Sequence, residues 1–240
     1  MFIKSNAQDS ALEQILKLIQ HKEIFPGTRL FETDLEKTLG MSRTPIRGAL
    51  DQMVVDGILQ KKREQRGYLF PKLSSSDLYE AYIFRERLEV LSVTLAFLKW
   101  SKNASKSLQE ALNIENSISN VRLADTYKSL SNGFHITLAN ISDNTYLIRS
   151  LKQVYLRICI YELFYGVGMY RIRREEDVNK DINDKMFQQH INIINSIEQR
   201  NLNTATMTMI THLRQTALVK EYVKSVSEWE SYNSLFPLND

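Results

Sequence analysis

The sequence predicts a mostly α-helical protein of two domains, and three observations lead to this prediction. The chain has 240 residues, of which 43% are hydrophobic and 25% are charged, as in an average globular protein. It contains only 8 glycines and 4 prolines, whereas an all-β sandwich needs turn residues about every 8–12 positions. Apolar residues recur at helical spacing in segment after segment, which favours helices throughout.

Several other protein classes are excluded at this stage. The single cysteine, Cys159, rules out an internal disulfide framework and a cysteine-cage zinc site. The N-terminal residues 1–10 become polar at once, so no signal peptide is predicted. No stretch approaches about 18 apolar residues, so no segment is expected to span a membrane. We therefore expect a soluble, cytoplasmic protein.

The excess positive charge lies in the first third of the chain. Residues 1–72 carry 12 Lys and Arg against 9 Asp and Glu, whereas residues 73–240 carry 19 of each. Pro71 supplies a turn, and the serines and aspartate at 74–77 supply helix-capping side chains. The predicted boundary therefore separates a domain of residues 1–72 from a second domain of residues 73–240.

The first domain begins with two predicted helices. The first is amphipathic, with apolar residues at the i, i+3, i+4, i+7 spacing, and it is ended by Pro26 and Gly27. Its apolar residues are Leu12, Ile15, Leu16 and Ile19. A short second helix covers about Glu32–Leu39 and stops at Gly40, a residue suited to a left-handed cap.

A third helix and a basic hairpin complete the first domain. Ser42 is the natural N-cap of this helix, and Pro45 is tolerated because it lies in the first turn. One face is apolar, with Ile46, Leu50, Met53 and Val54, and the opposite face presents Thr44, Arg47, Gly48 and Asp51. Residues 58–59 and 68–70 flank a basic tip that contains a glycine, which predicts a two-stranded wing.

Two short helices joined by a tight glycine turn, then a basic hairpin, make a winged helix-turn-helix. The positive end of the third helix, with Arg43 beside it, suits a phosphate or a guanine edge in the major groove. The wing offers basic side chains to the phosphate backbone, and Gly67 allows close approach. The basic residues are Lys61, Lys62, Arg63 and Arg66. The alternative is a protein-interaction module with a solvated charged hairpin.

At these residues the sequence resembles the GntR family of bacterial transcription regulators. The resemblance covers nearly all of residues 10–70 with the family's spacing. It consists of Pro26-Gly27-Thr28-Arg29-Leu30, Glu32, Leu35, Leu39-Gly40, residues 41–50 (MSRTPIRGAL), Gly57-Ile58 and Arg66-Gly67. It implies that Arg43, Thr44, Arg47 and Gly67 contact DNA. Thr33 replaces a basic DNA-contacting residue of many relatives, and Gly48 replaces a glutamate at some cost in helix stability.

The second domain is predicted to contain about six helices. They cover residues 77–99, 104–120, 125–141, 145–164, 184–199 and 203–226. The charged stretch at 166–181 is predicted to be a solvated loop or a frayed helix end.

Three histidines of the second domain lie on or next to apolar stripes and so point inward. Asn201 stands 11 residues after His190 and 11 before His212. If the chain reverses there, the two imidazoles stand at equal height on antiparallel helices, each about 16 Å from the turn. With His135 on a neighbouring helix, this predicts a metal site in a helical bundle. The alternative is that each is a core histidine bonded to a neighbour.

Residues 73–240 resemble the FCD effector domain, the all-α partner in FadR-type GntR regulators. The resemblance is carried by Arg85-Glu86-Arg87-Leu88-Glu89, Phe134-His135 followed by Asn144, and His190 followed 22 residues later by His212. It implies a divalent metal, zinc, nickel or manganese (Zn, Ni or Mn), held by His135, His190 and His212. It also implies that Arg85, with Asn144, binds a carboxylate effector, although Arg85 could instead pair with Glu89 one turn away.

The fourth metal ligand departs from the family's pattern. The family has an aspartate one turn before the Phe-His histidine, and Ser131 stands at that position. Asn132 faces a similar direction and could donate a carbonyl oxygen. Three neutral imidazoles still suffice for Zn²⁺ or Ni²⁺, with water or effector in the open positions. Such a site is more positive by one charge than that of a relative with the aspartate. The extra charge favours an anionic effector and weakens metal retention.

Together these features predict a sequence-specific regulator of transcription rather than an enzyme. We expect a homodimeric repressor on a near-palindromic, double-stranded DNA operator, with affinity controlled by a small organic acid. The main alternative is a metal-responsive regulator in which the ion itself is the effector. A metal-dependent hydrolase is disfavoured because no acid-base partner accompanies the histidines and catalysis does not explain the helix-turn-helix.

Overall fold

The structure, a computed structural model, describes residues 6–117, 123, 127, 133–165 and 176–216. The helices are α1 (Ala7–Gln20), α2 (Glu32–Leu39), α3 (Arg43–Val55), α4 (Ser75–Leu98), α5 (Lys102–Ser117), α6 (Phe134–Ile141), α7 (Thr145–Tyr165), α8 (Glu176–Glu198) and α9 (Leu202–Thr216). The strands are β1 (Arg29–Leu30) and β2 (Tyr68–Leu69). The predicted mostly helical fold is therefore confirmed. None of the described helices is long and apolar enough to cross a membrane.

The first three helices form along the predicted apolar stripes, although α1 ends at Gln20, six residues before Pro26. Asn6 and Asp9 make a reciprocal capping box at the start of α1, and α2 ends at Gly40 with φ +62°. Ser42 has the extended backbone of an N-cap, but its side chain makes no capping hydrogen bond. The apolar faces of α1 and α3 pack together in one buried core.

The strand pairing of the wing differs from the predicted hairpin. Strand β2 pairs antiparallel with β1, whereas residues 58–60 contribute one isolated bridge, between Gln60 and Leu69. The backbone N–H groups of Ile58 and Leu59 donate instead to the Met53 carbonyl at the end of α3 (2.9 and 3.1 Å). Because both side chains are also buried, this segment is part of the core and not a free strand.

Gly67 is required by the fold of the wing. Its φ is +80°, and a Cβ added there would lie 2.6 Å from the carbonyl oxygen of Leu30. Arg29 also holds the tip of the wing, because its Nη1 donates to the Arg66 carbonyl (3.1 Å). The fold of the wing therefore requires glycine at position 67 whether or not this residue contacts DNA.

The second part of the chain is a helical bundle built around α4, which packs against α6, α7 and α9. Two predicted boundaries were wrong. Gly133 has extended backbone and is the N-cap of α6, so the helix predicted over 125–141 does not run through it. Helix α8 begins at Glu176, so the predicted loop at 166–181 ends in helix. Residues 118–120 and 217–226 of two predicted helices lie outside the described residues.

Helix α7 packs against both the bundle and the helix-turn-helix. The ring of Phe164 lies 5.9 Å from that of Phe70, and Gln153 Nε2 donates to the Val55 carbonyl (2.6 Å). Because one buried apolar cluster continues from α1 and α3 into α7, the two parts share a core. The division between residues 72 and 73 falls in the link from β2 to α4 and stays a prediction.

Candidate functional site

Three buried histidines from three helices meet inside the bundle. His135 is the second residue of α6, and His190 and His212 lie on α8 and α9, which reverse at residues 199–201. One ligand atom from each lies within 4.8 Å of the others, and the Nε2 atoms of His190 and His212 are 3.2 Å apart. The prediction that these two imidazoles face each other across a helical hairpin is confirmed.

Hydrogen bonds orient two of the three imidazoles. His135 Nδ1 lies 2.7 Å from Glu89 Oε2, and His212 Nδ1 lies 2.9 Å from Gln189 Oε1. Carboxylate and amide oxygens only accept hydrogen bonds, so each Nδ1 is the donor and each Nε2 keeps a lone pair. This is the arrangement that metal-bound histidines use to fix their tautomer.

Burial and neighbouring charges shift the pKa values of His135, His212 and Glu89. Burial lowers the pKa of His135 below its usual value, and burial together with the neighbouring His190 lowers that of His212 much further. Burial acts to raise the pKa of Glu89, but the adjacent His135 and Arg85 reverse this and hold it at about 2. The lowered pKa values favour the neutral form of His135 and His212, which is the form that binds metal ions.

Arg85 lies in the same buried cluster, on the other side of Glu89. Its Nε donates to Glu89 Oε1 (2.9 Å), so the one-turn pairing considered from sequence is present, and its guanidinium lies 4.6 Å from the Tyr155 ring centroid. Among the described residues, its two terminal nitrogens have no hydrogen-bond partner. They form the edge of the guanidinium that binds carboxylates in a two-bond fork.

A second ion pair, which is partly buried and which sequence reasoning missed, joins α9 to α4. Arg214 donates to both carboxylate oxygens of Glu86 (2.8 and 3.2 Å). Arg214 follows His212 by two residues, so the pair anchors the part of α9 that carries this histidine. The sequence contains no signal for it, because the partners are 128 residues apart.

Asn144 is not brought together with the histidines. Its Oδ1 accepts from the Leu147 backbone N–H (3.1 Å), so it caps the start of α7. Eleven residues of α7 separate it from Tyr155, which packs near His135, a distance of about 16 Å along the helix. The chain reverses between α6 and α7, and this puts Asn144 at the far end of α6. The fourth-ligand candidates, Ser131 and Asn132, lie outside the described residues.

The residues present fit a divalent metal. In a tetrahedral site with metal–nitrogen bonds of about 2.0–2.1 Å, two ligand nitrogens lie about 3.3–3.4 Å apart. The 3.2 Å between His190 and His212 is close to this value. Three imidazoles suit Zn²⁺ and Ni²⁺, whereas Mn²⁺ prefers oxygen ligands and is the least suited of the predicted ions.

The predicted DNA-contacting residues of α3 share an exposed face. Arg43, Thr44 and Arg47 are all exposed. Both arginines bind glutamates of α2. Arg43 Nε donates to Glu36 (2.8 Å), and Arg47 donates to both carboxylate oxygens of Glu32 (2.8 Å each).

The wing carries the other predicted DNA contacts. Lys62, Arg63 and Arg66 are exposed. Lys61 differs from them, since its Nζ donates to Asp51 Oδ1 and to the Tyr68 hydroxyl (2.9 Å each). It therefore ties the wing to α3, a role that its place in the basic run did not predict.

Comparison with known proteins identifies both parts of the chain. Residues 7–68 match the family described as bacterial regulatory proteins, gntR family, and residues 77–215 match the FCD domain. The uncharacterized HTH-type transcriptional regulator YdhC of Bacillus subtilis is 27% identical over 227 residues, 90% of each chain. The HTH-type transcriptional repressor RspR of Escherichia coli is 21% identical over 224 residues, 91% of this chain and 93% of that protein.

Solved structures agree on the fold. E. coli McbR/YncC superposes with a TM-score of 0.60 at 16% identity, covering 92% of this chain and 99% of that one. The FCD match alone spans more than half of the chain, and the matched relatives are named as transcriptional regulators and not as enzymes. The chain is therefore a member of the GntR family of bacterial transcription regulators, with a DNA-binding helix-turn-helix domain followed by an FCD domain.

Proposed function

We propose that this regulator is a repressor that binds a near-palindromic operator as a homodimer and responds to a small carboxylate. The carboxylate binds next to Arg85, at a divalent metal held by His135, His190 and His212. One observation carries the proposal: three buried imidazoles converge beside a buried arginine whose terminal nitrogens have no hydrogen-bond partner among the described residues.

The charges of the cluster favour an anion as the ligand. The charges of Arg85 and Glu89 cancel each other, and histidine binds a metal through its uncharged imidazole, so a bound divalent ion leaves two positive charges without compensation from these residues. When bound, such an ion supplies open coordination positions and Lewis-acid charge for a carboxylate oxygen. The terminal edge of Arg85 supplies two N–H donors for a second carboxylate contact.

Helix α7 connects this site with the DNA-binding domain. Tyr155 faces the site, with its ring 5.9 Å from that of His135. Arg157, two residues later, donates to the Lys72 carbonyl and to Asp77 (2.8 Å each), and Gln153 donates to Val55 at the end of α3. A ligand that shifts Tyr155 therefore moves the same helix that holds α3 and the link after β2. Such coupling is typically worth about 1–3 kcal/mol.

Substitution of Arg85 by glutamine is expected to remove the response to carboxylates and to leave operator binding intact. Acetate, pyruvate, malate and citrate are titrated into the zinc-loaded wild-type protein bound to a duplex that it selects from a random library. We expect at least one to lower operator affinity roughly 5- to 150-fold. Arg85→Gln abolishes this change, whereas Arg87→Gln, on the exposed side of the same helix, retains it.

The same titration tests the metal-responsive alternative. That alternative is favoured by the donor set, because the three histidines can hold an ion without any organic ligand. If zinc or a chelator alone changes operator affinity and no acid adds to the effect, the ion is the effector. A response to acid that persists in Arg85→Gln contradicts the role of this arginine.

The homodimer is supported by an apolar stripe on α4. Phe84, Leu91 and Leu98 are spaced by seven residues and remain 50%, 42% and 68% exposed. A second copy of α4, antiparallel about a two-fold axis at Leu91, pairs Phe84 with Leu98 of the other copy and Leu91 with itself. The stripe is thus complementary to itself.

Leu91→Asp is expected to convert the dimer into a folded monomer that binds the operator more weakly. The side chain is exposed in the single chain, so the substitution opposes association and leaves the core untouched. Light scattering after gel filtration measures the mass. Tyr146→Asp, which changes an exposed aromatic residue on α7, serves as the control and remains dimeric. An unchanged mass for Leu91→Asp would show that the stripe is not the interface.

A further inference from the structure

We infer that Glu32 is a positioning residue for the reading of DNA sequence: it holds the Arg47 guanidinium in the orientation that recognises a base. The inference rests on the proposed contact between Arg47 and DNA. Glu32 is the first residue of α2, and Arg47 lies in the second turn of α3, so the contact joins the two helices of the helix-turn-helix.

The contact uses a defined edge of the guanidinium. Arg47 Nε donates to Glu32 Oε1 and Nη2 donates to Oε2, both at 2.8 Å, so the two planar groups lie side by side. The remaining edge presents the second N–H of Nη2 and the N–H groups of Nη1, and these have no hydrogen-bond partner among the described residues. Two N–H groups on one edge are what an arginine presents to O6 and N7 of a guanine.

Burial distinguishes the two partners of this contact. The Glu32 side chain is 21% exposed, whereas that of Arg47 is 60% exposed. The carboxylate is thus fixed in the protein surface while the guanidinium projects from it. A flexible arginine loses side-chain entropy when it orders on DNA, and a prior two-bond contact removes part of that cost.

The neighbouring ion pair, between Arg43 and Glu36, has a different geometry. Arg43 makes a single hydrogen bond, from Nε to Glu36 Oε2 at 2.8 Å, and leaves the rest of its guanidinium unconstrained by the described residues. One bond permits rotation of the plane, whereas two bonds do not. The geometry therefore assigns base discrimination to Arg47 more than to Arg43.

This arrangement has a measurable signature that a repulsive acidic residue would not produce. A carboxylate near DNA opposes phosphate binding, so its removal strengthens nonspecific association. Loss of positioning instead weakens the specific complex. Because Glu32→Gln has both effects, it is expected to lower the ratio of specific to nonspecific affinity. The lost specificity concerns the base pair that Arg47 contacts.

The test measures the affinity of the full-length chain for two DNAs. The specific probe is a duplex selected by the wild-type protein from a random library, together with its single base-pair variants, and the nonspecific probe is poly(dI·dC). We expect Glu32→Gln to lower the specific-to-nonspecific ratio roughly 5-fold or more, within the value of one bidentate base contact. The loss of discrimination is confined to one base pair of the probe. Arg47→Lys, which keeps the charge without the planar edge, is expected to remove discrimination at the same base pair.

Asp34→Asn is the matched control, because it removes one negative charge from the exposed side of the same helix. Its ratio stays at the wild-type value. The inference is overturned if the specific-to-nonspecific ratio of Glu32→Gln also equals the wild-type value, or if this variant binds the specific probe more tightly than the wild-type protein does. If Arg47→Ala leaves the ratio unchanged, the DNA-contact assignment itself fails, which is a separate result. Thermal unfolding shows that each variant is folded.

Discussion

Replacing Arg43 and Arg47 together by alanine is expected to abolish sequence-specific operator binding and to leave the helical content unchanged. Both side chains are exposed on α3 and bind only exposed or half-buried glutamates of α2 among the described residues. Exposed ion pairs contribute about 0–1 kcal/mol to folding. Each bidentate base contact contributes about 1–3 kcal/mol of discrimination, so the loss amounts to roughly 30-fold to 10⁴-fold.

The measurement is a gel shift or fluorescence anisotropy titration at physiological salt, with circular dichroism to follow helical content. Lys62→Ala and Arg63→Ala, in the wing, are the comparison variants. They are expected to weaken binding evenly across sequences and to lower the salt dependence by about one charge each. Operator affinity that survives the double substitution would show that α3 does not read the operator through these arginines.

Replacing His190 by glutamine is expected to remove the bound divalent metal. The two remaining imidazoles, His135 and His212, bind an ion more weakly than three do. The loss of metal affinity is expected to exceed the roughly 10–100-fold seen when only a residue that hydrogen-bonds a ligand is changed. The ring of His190 also stacks on Phe134, with centroids 4.0 Å apart. Glutamine keeps much of the side-chain volume, so the core retains its packing better than with alanine.

Elemental analysis after dialysis and a calorimetric titration with Zn²⁺ measure the metal content and affinity. His21→Gln is the matched control, because His21 is the one histidine of the chain outside the predicted metal site and lies exposed after α1. It is expected to keep the wild-type metal content. Equal metal in His190→Gln and the wild-type protein would place the site elsewhere.

Several parts of the fold were predictable because local rules decide them. The bounds of α2 follow from a short amphipathic run and Gly40, and the start of α3 follows from Ser42 and Arg43. The facing of His190 and His212 follows from equal distances to Asn201, because the rise per residue of an α-helix is constant.

Other features were not predictable because their partners are distant in sequence. Nothing local indicates that Glu89 binds His135, 46 residues away, or that Glu86 binds Arg214. The pairing of the wing was predicted only in part: the bridge between Gln60 and Leu69 fits a hairpin, but the strand that pairs with β2 is β1. Pairing Tyr68 with Leu30 depends on how the wing folds back over α3, whereas a hairpin rule considers only neighbouring segments.

Local sequence patterns were sufficient to predict the helical class, the helix-turn-helix with its exposed arginines, and the three inward histidines, since periodicity and capping act within a few residues. The groups that surround these residues depend on tertiary packing: the carboxylate of Glu89 next to His135, the two-bond contact of Glu32 with Arg47, and the position of α7 between the two halves. These contacts join helices whose mutual orientation is set by packing of the whole core, and that packing cannot be derived one segment at a time.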